Sequence, residues 1–297
     1  MSSTTINHVF LTRFNLPSGG MENAIRAREG WLRERVVLFE QYCLASMRQQ
    51  VESDFSWIIY FDPASPQWLL EWIREVNEDH IFVPVFRESV DDEALRSDLR
   101  AVVGTPRARL LTTNLDNDDG LSKEFTARIR AAVSALDDRR HAVYVSQGLI
   151  KGSGQLYVRT DKNNAFCSVV ESWQQPVSCW SNWHNLLGQS MPVHEIGGGP
   201  GWLQVVHGTN VSNRIRGRRV NPDGHKTVFP GLLDDIPHPT VVQLMWDNTT
   251  MTVLRSGRET ARAIAKWTAM KLLGRDGLDR AKARLASMHG TLFRRGA

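Results

Sequence analysis

The segment Asn114-Leu115-Asp116-Asn117-Asp118-Asp119-Gly120 crowds three carboxylates onto the end of an apolar run. Read as a continued strand, alternation turns Asp116 and Asp118 the same way, about 6 to 7 Å apart, with Asn117 facing away. Three acids so close repel one another unless a positive charge sits among them. All-oxygen ligands favour magnesium, manganese or calcium over zinc, so the pattern implies a hard divalent cation. An EF-hand loop is excluded by spacing, because glycine is needed at position six and glutamate at twelve. Counting from Asn114 gives Asp119 and Phe125, and from Asp116 gives Leu121 and Ala127. The competing reading is that Asp118, Asp119 or Ser122 simply caps a helix beginning near Leu121.

The elements that must position this cluster follow from periodicity. Val9 to Leu11 reads as a strand, and Trp31 to Gln50 carries Leu32, Val36, Phe39, Cys43 and Met47 at helical spacing. Trp57 to Phe61 is a strand stopped by Asp62-Pro63, and Pro66 opens a helix reaching about Asn77. Further along come a strand at Ile81 to Val85, a helix from Asp91 to Val102, a strand from Ala108 to Leu115, a helix from Ser122 to Leu136 and a strand from Ala142 to Val145. Strands separated by helices predict an α/β fold with a mostly parallel, Rossmann-like sheet. From Lys151 the chain becomes loop-rich, with a hairpin turn in KGSGQLYVRT and a GGGPG run at 197–201 that lacks the lysine of a phosphate loop. The expected organisation is therefore a first half over 1–150, a second over 151–254 and a helical tail over 255–297.

In open α/β sheets ligands bind beyond the carboxyl ends of strands, so Thr12-Arg13, Asp62 and Asp116 should share one rim. Arg13 suits a phosphate because its planar fork binds two oxygens, or else it forms a surface ion pair. Asp62 either accepts from a ribose hydroxyl or base, or is a turn residue before proline.

Charge is uneven. Gln49 to Arg100 holds twelve acidic residues against four basic ones, whereas Arg255 to Ala297 holds eleven basic residues against three acidic. Arg258, Arg262 and Lys266 line one helical side beside an apolar stripe. That tail either packs on the domain or rests on an anionic membrane surface. No base-reading module accompanies it, so nucleic acid is not an expected partner. With 41% hydrophobic and 23% charged residues in 297, the chain is globular in composition. No apolar run approaches the roughly 20 residues of a bilayer crossing. The start MSSTTINHVF is not a secretory signal, and Cys43, Cys167 and Cys179 form no C-x-x-C pair, so the expected location is cytoplasmic, with the inner membrane face as a peripheral option.

Four segments taken in order, HVFLTRFN, WLRERVVLFEQYCLASMRQQ with SDFSWIIYFD, LLTTNLDNDDGL, and WLQVVHGTNVSNRIRG, resemble the rhamnosyltransferase family of bacterial GT-A-type glycosyltransferases over about residues 6 to 220. The resemblance implies a GT-A-like fold with a nucleotide-sugar-binding half and an acceptor-binding half. It makes Asp116 and Asp118 the metal and nucleotide-sugar motif, with Asp119 an alternative ligand and a divalent ion, Mn²⁺ or Mg²⁺, as cofactor. It also implies a nucleotide-diphosphate sugar donor and a saccharide or glycolipid acceptor. Glu171 in SVVESW resembles the catalytic base, with Glu195 next in line, although Glu171 could equally pair with an arginine. His207 in VVHG matches the histidine completing the metal site; read alone it is a hydrogen-bonded structural residue. Trp173, Trp180, Trp183 and Trp202 together suggest an acceptor groove, against core packing for each singly. The other function classes are a metal-dependent phosphohydrolase, opposed by Gly120 where D-x-D-x-T phosphatases need threonine or valine, and a non-catalytic polyanion- or membrane-binding protein.

Overall fold

Strand β1 (Ile6–Arg13) alternates between two cores, sending Phe10 to one face of the sheet and Val9 and Leu11 to the other. All are fully buried, which is why the strand reads as a continuous apolar run. The coordinates, a computed structural model, describe residues 5–17, 30–207 and 215–251. Helix α1 begins at Trp31–Leu38, widens into a π-helical stretch Phe39–Leu44 and closes at Ala45–Arg48, burying Phe39, Cys43, Leu44 and Met47. It leads to β2 (Ser56–Phe61), whose Trp57, Ile59 and Phe61 face α1 while Ile58 and Tyr60 face away.

Helix α2 (Gln67–Val76) starts after Pro66, which occupies the cap with extended backbone, and buries Leu69 and Ile73. Strand β3 (Val83–Phe86) is followed by α3 (Asp92–Val103), where the Asp91 carboxylate accepts the Ala94 N–H at 2.8 Å. Next come β4 (Arg109–Asn114), the two-residue β5 (Gly120–Leu121) and α4 (Phe125–Ser134). Strands β6 (His141–Val145), β7 (Gln147–Gly152), β8 (Gln155–Thr160), β9 (Ser168–Glu171), β10 (Val193–Ile196), β11 (Trp202–Val206) and β12 (Arg218–Val220) complete unit one.

Two sheets result. The larger has the order β10-β6-β9-β4-β1-β2-β3, parallel except at β9, which runs against both β4 and β6. Helices α1, α2 and α4 feed the core on one face and α3 the core on the other. This is the expected α/β class, a Rossmann-like, mostly parallel sheet flanked by helices. The smaller sheet has the order β12-β8-β7-β11-β5 and encloses a third core around Leu149, Leu203 and Phe229. The KGSG turn is the β7–β8 hairpin, with Ser153 and Gly154 both at positive φ.

Strands β9 and β10 return to the first sheet after residue 151, so the main sheet draws on both of the halves expected from the sequence. The chain forms two units, Met1–Pro239 and Thr240–Ala297. Of the second, a short helix Val241–Trp246 is described, opened by a capping box between Thr240 and Gln243. The basic segment 255–297 lies outside the described residues. Among the described residues no helix is long and apolar enough to cross a membrane.

Candidate active site

Strands β4, β1 and β2 are parallel neighbours, so their carboxyl ends do share one rim. The chain turns from β1 towards β2 and β3 on one side, while β4 lies on the other. The switch point therefore falls between β1 and β4. A cavity of about 700 Å³ opens there, with Arg13, Asn114 and Asp116 on its wall.

The acidic cluster is not a continued strand. β4 ends at Asn114, and residues 116–119 fold into a turn in which the Asp119 N–H reaches the Asp116 carbonyl at 3.3 Å. Strand alternation is lost, so the expected pairing of Asp116 with Asp118 on one side gives way to divergence. Asp116 opens into the cavity, whereas Asp118 is buried against α1. Asn117, expected to face away, staples the turn to the end of β1 by donating to the carbonyls of Arg13 at 2.6 Å and Phe14 at 2.8 Å.

Asp118 Oδ2 accepts from Arg35 Nη1 at 2.6 Å and lies 2.8 Å from His207 Nε2. Arg35 also donates to Asn117 Oδ1 at 2.9 Å. Burial opposes ionisation of Asp118, but the His207 hydrogen bond and the Arg35 charge together hold its carboxyl below the usual range. Asp119 is fully buried; its Oδ1 accepts the Val205 N–H at 2.8 Å and its Oδ2 has no partner. Burial, then the charges of Asp118 and Asp116, push it well above the carboxylate range. Asp116 is exposed at the cavity wall, yet desolvation by the atoms packed around it plus the Asp118 charge raise it to about 6. The helix-cap reading fails for Asp118, Asp119 and Ser122: α4 starts at Phe125, three residues past Ser122, and its N-cap Glu124 makes no side-chain bond.

In donor type the cluster suits a hard divalent cation, since three carboxylates lie close together beside Arg13, Arg35 and His207 and one carboxylate oxygen is buried unpartnered. Asp118 and His207, expected as fellow ligands, are brought into contact. Among the described residues, however, no three His, Cys, Asp or Glu side chains stand gathered as a ligand set.

Two expected roles are corrected. Glu171 pairs with Leu110 at the amino end of β4, the opposite edge of the sheet from Asp116. Its carboxylate is buried, bound to Arg140 Nε at 2.7 Å and to the N–H groups of Val177 and Ser178, which leaves no oxygen for an acceptor. It is a structural anchor. Asp62 takes the turn reading: its Oδ1 accepts the Ala64 N–H at 2.8 Å, and it lies off the cavity wall. Glu195 pairs with Lys162 at the surface, also off that wall.

Arg13 does reach the cavity, its guanidinium stacked 4.0 Å over the Trp180 ring. The tryptophans divide. Trp202 is buried on Phe166, and Trp173 donates to Asn7 Oδ1 near the far end of the sheet. Trp180 packs on Tyr60 and donates to Asn114 Oδ1 at 2.7 Å, and Trp183 is exposed on the cavity wall. Sequence reasoning missed Arg35, because an arginine on an amphipathic helix reads as its solvent side. It also missed Asp161, whose RTDKNN setting reads as an ordinary turn. Asp161 lines the cavity, its Oδ2 held by Arg159 Nη2 at 2.9 Å.

The family model described as "Putative rhamnosyl transferase" matches residues 7–219. The chain belongs to this family. Among solved structures it is similar to residues 1–349 of TarS from S. aureus in complex with UDP-GlcNAc, at 7% identity and a TM-score of 0.43, covering 75% of this chain and 64% of that one. The chain thus spans less than two thirds of that protein. It is also similar to the inositol-1-phosphate CTP transferase from T. maritima, at 9% identity and a TM-score of 0.33, covering 70% of this chain and 92% of that one. No curated protein matches the sequence.

Proposed function

We propose that the chain transfers a sugar, rhamnose by its family description, from a nucleoside-diphosphate sugar to an acceptor hydroxyl at the β1–β4 cavity. The observation that carries this reading is the meeting of Arg13 and Asp116 on one cavity wall at the switch point of the sheet. In the reaction the bond from the anomeric carbon to the diphosphate oxygen breaks, its electron pair leaving with the diphosphate. The acceptor oxygen forms the new bond to that carbon and its proton passes to a base. Arg13 is placed to compensate the charge that grows on the leaving group. A divalent cation, for which Asp116 is the carboxylate placed on the cavity wall and Asp118 with His207 the adjoining pair, would supply Lewis-acid stabilisation of the diphosphate. Arg35 keeps Asp118 ionised and fixed, and Asn117 ties the turn to β1, so the motif is organised before the donor arrives.

The base must come from the acids on the cavity wall, Asp116 and Asp161. With Asp116 engaged by the donor, Asp161 is the one left, and Arg159 fixes its orientation. The test is a thermal-shift series with nucleoside diphosphates, with and without Mn²⁺, followed by turnover of the matching sugar nucleotide. A ligand binding the folded state at about 100 times its dissociation constant adds about 2.7 kcal/mol. An unchanged melting temperature with every nucleotide sinks the proposal. Asp161→Asn is expected to lower turnover by about 10² to 10⁴-fold while leaving the nucleotide-induced shift intact.

A further inference from the structure

Of the ten tryptophans, Trp183 is exposed to 74% and still belongs to the cavity wall. Leaving an indole in water forgoes a large apolar contribution, so the way it is held matters. The backbone N–H of Trp183 donates to Asn182 Oδ1 at 2.8 Å and its carbonyl accepts the Leu186 N–H at 2.8 Å. It caps the short helix His184–Gln189, whose Leu187 is fully buried, and the next residue's carbonyl receives the Tyr144 hydroxyl. The backbone on both sides is thus anchored to the core and presents the ring outward.

The cavity wall around the indole also carries polar groups. Asn182, His184 and the Arg159–Asp161 pair share its wall, and Asp161 lies close enough to His184 to act on its charge. A flat apolar face in a cavity that also carries hydrogen-bonding side chains matches a pyranose, which has C–H bonds on one face and hydroxyls around its edge. A lipid chain would leave those polar groups unpaired. Trp183 lies in the loop after β9, whose Trp180 carries the Arg13 guanidinium on its ring, so the indole shares one cavity with the group placed at the diphosphate.

We infer that the Trp183 indole is the stacking platform of an acceptor-saccharide subsite, with Asn182 and the Arg159–Asp161 pair addressing the sugar hydroxyls. This rests on the transferase reading of the cavity and names its acceptor as a saccharide. On this geometry the sugar lies across the ring with one hydroxyl towards Asp161, the group that takes its proton when the anomeric bond forms.

Saturation-transfer NMR with methyl α-rhamnoside and methyl β-glucoside at about 10 mM, a range suited to millimolar affinity, tests it on the full chain with uridine diphosphate present. Wild type is expected to transfer saturation to the sugar C–H protons, Trp183→Ala to lose at least four fifths of it, and Trp183→Phe to recover most. Near-UV circular dichroism establishes that the variants are folded. No transfer to either glycoside in wild type overturns the inference, as does undiminished transfer in Trp183→Ala. Loss of the nucleotide-induced thermal shift in Trp183→Ala also overturns it, by making the indole a base platform. Failure of the transferase reading looks different: wild type then shows no shift with any nucleoside diphosphate, whatever the glycosides do.

Discussion

Arg35 carries more than its place on a helix suggests. Its guanidinium and the Asp118 carboxylate are both nearly out of water, at 11% and 8% side-chain exposure. Removing one partner of such a pair strands the other charge. Arg35→Ala is expected to cost about 3 kcal/mol, read as a lower urea midpoint at unchanged slope. Asp116 behaves in the opposite sense. The folded carboxyl keeps its proton to about pH 6. The unfolded one releases it near about 3.9, so between those values the folded state binds more protons and stability falls as pH rises. A two-unit shift corresponds to about 2.7 kcal/mol, reduced here to about 1 kcal/mol because the group opens to solvent. In metal-free buffer Asp116→Asn should therefore melt higher than wild type at pH 7 and level with it at pH 4. A wild-type advantage at pH 7 would refute the assignment.

At the scale of elements, the site depends on how the two sheets meet. Gly148 of β7 lies opposite Trp202 of β11, and a Cβ there would stand 2.0 Å from the indole. Trp202 cannot yield easily: it stacks on Phe166 at 5.1 Å, and its Nε1 donates to the Val145 carbonyl at 2.8 Å. Gly148→Ala is expected to destabilise by about 2 to 3 kcal/mol in denaturant titration and to weaken nucleotide-induced stabilisation, because Trp202 also lines the cavity. The elements themselves were legible. The strand at Trp57 to Phe61 and the helices near Pro66 and Asp91 lie within a residue or two of expectation, since period and punctuation are local properties. The acidic segment was misread at this scale, because nothing local says that β4 stops at Asn114 and that a turn follows.

At the scale of the whole molecule, among the described residues the buried members of all three hydrophobic cores precede Pro239, where the first unit ends. A chain ending at Pro239 is thus expected to melt within about 4 °C of the full chain, a difference worth about 1 kcal/mol at this size. Differential scanning calorimetry of the two chains decides it, and loss of the cooperative transition in the shorter one would contradict it.

From the sequence alone came the α/β class, the rim shared by Arg13, Asp62 and Asp116, and the family, because each rests on periodicity or on an ordered set of segments. Tertiary structure decided which acids meet the cavity. Glu171 and Asp161 are both acids near a strand end, yet β9 runs antiparallel and carries Glu171 to the far edge, into the grip of Arg140. Asp161 ends up on one cavity wall with Trp183 and His184 through pairings distant along the chain. Strand direction and long-range pairing determine which edge of a sheet a side chain occupies, and neither is written in the spacing of residues around it.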